Sequence, residues 1–123
     1  MKAILSIKPY YANKILEGEK LYELRKSIFK SNVDKVIIYA SAPISKIIWE
    51  FQIEWILYEN INTLREKTKS SSCVDKKFFN AYFENKNKWY AIKVWKVKRY
   101  KKYLSIKKDF GMTPPQSFSY IVN

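Results

Sequence analysis

Four residues in the stretch EGEKLYELRK carry the first chemical signal: Lys20, Tyr22, Glu23 and Arg25 follow directly on Gly18. In an extended segment Glu23 and Arg25 project to the same side. Lys20 lies near the turn and can swing toward them. A carboxylate so placed accepts a ligand's amino donors or orients a lysine. An arginine beside it can grip a phosphate or a base edge with a bidentate fork. The plainer alternative is a local Glu–Arg ion pair on the surface, which contributes little.

A second signal is the run from Lys86 to Lys108, which holds ten Lys/Arg and no acid. Trp89, Tyr90, Trp95, Tyr100 and Tyr103 are interspersed in it. Lysines bind phosphates without reading sequence, and exposed aromatics stack on bases at ~1–3 kcal/mol each. Lys96, Lys98 and Lys101 are its candidate phosphate contacts. The alternative is a strand with an aromatic core face and a solvated lysine face. A third signal is PPQSFSYI. Pro114–Pro115 forces an extended approach and removes two backbone donors. Gln116 and Ser117 are placed to line a pocket, while Phe118 and Tyr120 serve the core.

Absences narrow the chemistry. The 123 residues include no histidine, which excludes Ser-His-Asp triads and His metal sites. The single Cys73 excludes an intrachain disulfide and a cysteine zinc cluster. With only Gly18 and Gly111, no phosphate-cradling glycine loop can form. No metal or cofactor is expected, and any catalysis falls to Lys, Glu, Asp, Tyr, Ser or Thr. No apolar run approaches the ~20 residues of a membrane span. The start, MKAILSIKPYY, lacks the features of a signal peptide. With the lone cysteine, this points to a reducing, cytoplasmic setting and no membrane partner.

The net charge is +13 and uneven. Residues 1–60 hold nine Lys/Arg against seven Asp/Glu, and residues 61–123 hold fifteen against four. That asymmetry predicts a polyanionic partner, nucleic acid ahead of an anionic membrane. A general lysine-rich composition is the competing explanation.

The elements that must position these residues can be read from periodicity. KAILSIK reads as a strand, and Pro9 suits the first turn of a following helix. Tyr11, Ala12, Ile15 and Leu16 give that helix an apolar face. Gly18 is placed to end it in a left-handed conformation. YELRKSI reads as extended, and Val36–Ala40 as a buried strand stopped by Pro43. In ISKIIWEFQIEWILYE the alternation predicts Ile47, Trp49, Phe51, Ile53 and Trp55 on one face and Glu50, Gln52 and Glu54 on the other. Thr63 and Glu66 have capping-box spacing for a helix over INTLREKTKS. Ser72 could cap a second helix, whose Phe78, Phe79, Tyr82 and Phe83 form an aromatic stripe. KWYAIKVWKVKRY reads as a long strand that slips near Trp95–Lys96. A less regular tail ends in a strand over residues 117–122. The expectation is one α+β domain over residues 1–123: a mostly antiparallel curved β-barrel with two or three flanking helices.

The order of segments resembles the ASCH domain (activating signal cointegrator homology) of the PUA-like superfamily. It is carried by SIKPYYANKILEGEKLYELRKS, then KIIWEF, WYAIKV and PPQSFSYI. Its core pattern G-x-K-x-x-E-x-R is matched by Gly18, Lys20, Glu23 and Arg25. The likeness is nearest to stand-alone prokaryotic members described as predicted transcriptional regulators. It implies a PUA-like fold with the motif at the rim of a cleft, and Lys8 approaching the same cleft. It implies nucleic-acid binding, RNA ahead of DNA, or a nucleotide-like small ligand. With no separate helix-turn-helix, a regulator would act on RNA or through a partner chain. One branch of the superfamily hydrolyses acetylated cytidine with a lysine and a threonine nucleophile. Here Glu23 stands where the threonine would be, so Glu23 would serve as general base for water and Lys20 as oxyanion stabiliser. A nuclease reading would rest on Lys20, Tyr22 and Arg25 stabilising a phosphorane. Exposed charges of this kind would leave stability nearly unchanged when removed.

Overall fold

The computed structural model describes residues 1–68 and 88–121. In chain order the elements are β1 (Lys2–Ile7), α1 (Pro9–Leu16), β2 (Tyr22–Arg25), β3 (Lys35–Ala40), β4 (Lys46–Asn60), α2 (Ile61–Thr68), β5 (Lys88–Leu104), α3 (Ile106–Phe110) and β6 (Phe118–Ile121). The strands form one six-stranded sheet in the order β2-β5-β4-β3-β1-β6. The predicted helix with the stripe Phe78, Phe79, Tyr82 and Phe83 lies outside the described residues.

The α+β class holds, but the expected barrel does not close. β2 and β6 are the two edges of an open sheet, and each is only four residues long. Orientation is mixed: β1 pairs with β3 in parallel, and the other pairings are antiparallel. The reason lies in the connection. α1 and β2 stand between β1 and β3, giving the chain the length a parallel return requires.

Helices cover both faces of the sheet. α1 lays Ala12 and Ile15 on a core of Leu5, Ile7, Ile38, Trp49, Phe51 and Ile92. The buried Trp49 indole N–H donates to the Ala12 carbonyl at 3.2 Å, so the ring packs without an orphaned donor. On the opposite face Ile106 of α3 joins Ile4, Ile37, Tyr39 and Ile47. Leu64 of α2 packs with Leu24, Trp89 and Ala91.

The alternation expected along β4 breaks in two places. The β4–β5 pairing shifts register between Ile47 and Trp49, so Ile47 joins the α3 cluster while Trp49 and Phe51 face α1. It shifts again between Ile53 and Ile56, and Trp55 emerges 46% exposed. An extra residue in one strand flips every side chain beyond it. The slip expected in β5 is present: Trp95 pairs with Gln52 but Lys98 with Glu50, and Lys96 has φ +48°. α2 starts differently from the expectation. Asn60, not Thr63, is the cap: its Oδ1 accepts from the Thr63 N–H at 2.9 Å. α3 falls in the tail read as irregular. Ser105 caps it by accepting from the Lys108 N–H, Asp109 accepts from the Ser105 N–H, and Gly111 ends it at φ +65°.

Candidate functional site

The approach to the site is set by the end of α1. Gly18 adopts φ +81°, and a Cβ there would be strained by that backbone alone. The turn it allows brings both the Glu19 and Lys20 N–H groups onto the Lys14 carbonyl, at 3.1 and 3.0 Å. This capping doubles the chain back beneath the helix. The Lys20 ammonium then sits 5.2 Å from the centre of the Tyr11 ring. β2 begins two residues later, so Glu23 and Arg25 share one face of the sheet, as period 2 requires.

The result is a tight, buried charge network. Lys20 is 2% exposed and Glu23 7%. Lys20 Nζ lies 3.5 Å from Glu23 Oε1. Glu23 Oε2 accepts from Arg25 Nε at 3.0 Å and lies 2.8 Å from Arg25 Nη2 as an ion pair. Arg25 also donates through Nη2 to the Ser6 carbonyl at 2.9 Å and through Nη1 to Ser117 Oγ at 3.3 Å. One guanidinium thus links edge strand β2 to β1 and to the segment entering β6. Both oxygens of Glu23 face cations. The carboxylate therefore holds Lys20 and Arg25 in place.

Beside the network lies a cleft of about 490 Å³. Lys8, Lys20, Glu23, Arg25 and Gln116 line it, with Tyr11, Pro114 and Pro115 as flat walls. Ser6, Ser41, Ala42 and Ser45 also line it. β1 and β3 are parallel and end together here, and the Ser41 N–H donates to the Ile7 carbonyl at 3.0 Å. Ser6 Oγ donates to the Pro115 carbonyl at 2.6 Å, which fixes the double proline as a wall. The serines and Tyr11 were not singled out for the site from sequence. One signal could have found them: both parallel strands run into an X-Pro step, Lys8-Pro9 and Ala42-Pro43.

The other candidate residues lie elsewhere. Tyr22 turns to the opposite sheet face and packs against the Leu24–Trp89 cluster. Ser117 meets the network through its hydroxyl and does not line the cleft. Lys96, Lys98 and Lys101 are exposed on β5 and line no part of the cleft. Of the aromatics in that run, Trp89 is fully buried, while Trp95 and Tyr103 are each 44% exposed. Tyr100 donates its hydroxyl to Glu50 Oε1 at 2.9 Å. Burial, and then that bond to a carboxylate, push its phenol well above the usual tyrosine range. Among the described residues no group of three or more His, Cys, Asp or Glu is gathered as metal ligands would be. No described helix is long and apolar enough to cross a membrane.

The sequence resemblance implied a barrel with the motif at the rim of a cleft; the structure has an open mixed sheet, with the Lys–Glu–Arg motif buried beside a cleft. The model of the ASCH domain matches residues 5–108, and the chain belongs to that family. A curated relative described as an ASCH domain-containing ribonuclease, from Zymomonas mobilis, is 27% identical over 88 residues, 71% of this chain and 60% of that protein. ATP synthase subunit alpha of Ureaplasma parvum is 30% identical over 85% of this chain, which spans only 14% of that protein. The crystal structure of ASCH from Zymomonas mobilis superposes with a TM-score of 0.90 at 24% identity, over 98% of this chain and 87% of that one. That likeness establishes the fold.

Proposed function

We propose that this chain binds single-stranded RNA and takes one nucleotide unit into the cleft. The observation that supports this reading best is the charge of the lining: Lys8, Lys20 and Arg25 stand against Glu23 alone. A surplus of positive charge in a partly enclosed space concentrates anions. The volume suits a small ligand, and Tyr11 with the two prolines offers flat walls to a base. The exposed lysines of β5 then hold flanking phosphates without reading sequence. The name of the Zymomonas relative weighs for RNA over DNA. A regulatory role, if the chain has one, would run through the RNA it holds. The test is fluorescence anisotropy of a labelled single-stranded RNA from 50 to 200 mM salt. The parent should bind, with affinity falling as salt rises, and Lys20→Met should weaken binding at least tenfold. No binding at the lowest salt would overturn the reading.

That same relative also favours a second reading, cleavage of the bound RNA. In this scheme the 2′-hydroxyl gives up its proton to solvent, its oxygen attacks phosphorus, and the bond to the 5′-oxygen breaks as that oxygen takes up a proton from solvent. The products are a 2′,3′-cyclic phosphate and a 5′-hydroxyl end. Lys20 and Arg25 would stabilise the extra negative charge on the phosphorane. Hydrolysis of an acetylated base asks more of Glu23, which would need an oxygen free to activate water; its engagement by two cations weighs against that reaction. Denaturing gels of end-labelled RNA test cleavage, with Lys20→Met as the control. Binding without any new fragment would leave the module as a binder only.

A further inference from the structure

Strand register carries the cleft face beyond the cleft. Arg25 of β2 lies directly opposite Tyr90 of β5, and Tyr90 lies directly opposite Tyr58 of β4. Residues paired across strands share a face. Arg25, Tyr90 and Tyr58 therefore stand in one row, with Tyr58 about 10 Å from Arg25 at two strand spacings. The two phenol rings are stacked, with centroids 4.4 Å apart and planes 24° from parallel. Tyr58 is 48% exposed, and the Lys88 ammonium lies 5.5 Å from its ring centre. Glu59, next to Tyr58 in the chain, alternates to the other face and pairs with Lys67 of α2, while Glu23 is held by Arg25 and Lys20.

From this arrangement we infer that Tyr58, Tyr90 and Lys88 form a stacking platform for the nucleotide next to the one in the cleft. The proposal deepens the RNA reading and rests on it. The outer face of the half-exposed Tyr58 ring, with Lys88 over it and Arg25 farther along the row, fits a stacked base with a phosphate on either side. The lysine over Tyr58 makes the weaker contact and yields its place to a stacked base, its ammonium then meeting a phosphate. The competing aromatic strip, Trp55 with Lys93 and Tyr22, is on the opposite face. A strand leaving the cleft along the Arg25 face does not meet it, and its lysine is already 3.5 Å from Glu54.

The experiment compares two probes, hexauridylate and uridine 3′-monophosphate, by competition against a labelled RNA. The readout is the ratio of their affinities. In the parent the hexamer should bind more tightly, because only it reaches the platform. Tyr58→Ala should reduce the ratio about tenfold, the effect of losing one base–aromatic stack. Tyr58→Phe keeps the ring and should hold the ratio within about twofold. Lys88→Gln should lower the salt slope for the hexamer by about 0.7. Lys20→Met should weaken both probes. An unchanged ratio in Tyr58→Ala overturns the platform and leaves the cleft reading standing. Competition by a hexaglutamate peptide as strong as that of hexauridylate also overturns it, since charge alone would then suffice. A parent that binds neither probe overturns the RNA reading beneath it.

Discussion

Two regions of this chain are dense in charge, and they handle it in opposite ways. At the start of β2, Lys20, Glu23 and Arg25 are buried, mixed in sign and tied to each other, to Ser6 and to Ser117. In the second half of β5, Lys96, Lys98, Arg99, Lys101 and Lys102 are exposed and of one sign. Burying ions is costly unless each finds partners, so the first arrangement tolerates almost no change of residue type. Exposed lysines keep their water and pay little, so the second tolerates a great deal. Under the RNA reading proposed above, the first region fixes one nucleotide and the second holds phosphates without reading sequence.

The largest effect that would break this contrast is at Glu23. Glu23→Ala leaves two buried cations facing each other without their shared carboxylate. It should cost about 3–5 kcal/mol and lower the melting temperature by about 10 °C or more. Glu23→Gln keeps an acceptor for Arg25 and should cost less. Differential scanning calorimetry of both variants decides it. If Glu23→Ala melts with the parent, the network is no firmer than a surface ion pair.

Lys20 sharpens the contrast by separating folding from binding. The sequence-based expectation treated it as an exposed charge whose removal leaves stability unchanged, and its 2% exposure corrects that. Lys20→Ala removes a buried stem as well as a charge and should destabilise by about 2–3 kcal/mol. Lys20→Met keeps the stem and should recover most of that loss, while RNA affinity stays at least tenfold down. Thermal melts beside anisotropy titrations separate the two. Full RNA affinity in a folded Lys20→Met protein would place the ligand elsewhere.

On β5 the expected effect is one of slope. Replacing Lys96, Lys98 and Lys101 together by Gln should leave stability within about 0.5 kcal/mol per site. The fall of log affinity with log salt should flatten by up to ~2, at about 0.7 per phosphate lost. An unchanged slope would make the positive charge of this strand a matter of composition.

How much of this was legible in the sequence differs between the regions for a physical reason. Gly18 before Lys20, Glu23 and Arg25 could be read, because a helix end and a period-2 segment are local. The strands were legible too, from Lys2–Ile7 to the slip at Lys96. The failures were non-local. Ile47 and Trp55 left their expected face because bulges form between partners distant in sequence. Closure into a barrel depends on whether β2 meets β6, which no local pattern encodes. The burial of Lys20 was hidden for the same reason: the partner walls come from Tyr11, Pro115 and the end of β3. α3 was legible in principle, since Ser105, Asp109 and Gly111 are ordinary capping residues, but it is only five residues long.

The smallest predicted effect concerns Tyr100, where the basic strand bonds to a buried carboxylate. Tyr100 donates to Glu50, which also lies 3.7 Å from Lys35 Nζ. Burial first, and then the neighbouring carboxylate, favour the protonated phenol in the folded state. The sign follows: the folded pKa lies above the unfolded value near 10. The contribution is whole below about pH 10 and is lost as pH rises past it, because the unfolded phenol ionises first. One proton sets a ceiling of ~1.4 kcal/mol per pH unit, and the partial exposure of Tyr100 keeps the effect well below it. Tyr100→Phe keeps the ring and removes the titration. At pH 7 it should cost about 1 kcal/mol for the lost hydrogen bond. From pH 10 to 11.5 its melting temperature should fall less steeply than that of the parent, so the two curves converge. Parallel curves over that range would mean that Tyr100 ionises as freely in the folded chain as in the unfolded one, and that β5 carries no buried polar anchor comparable to the one at β2.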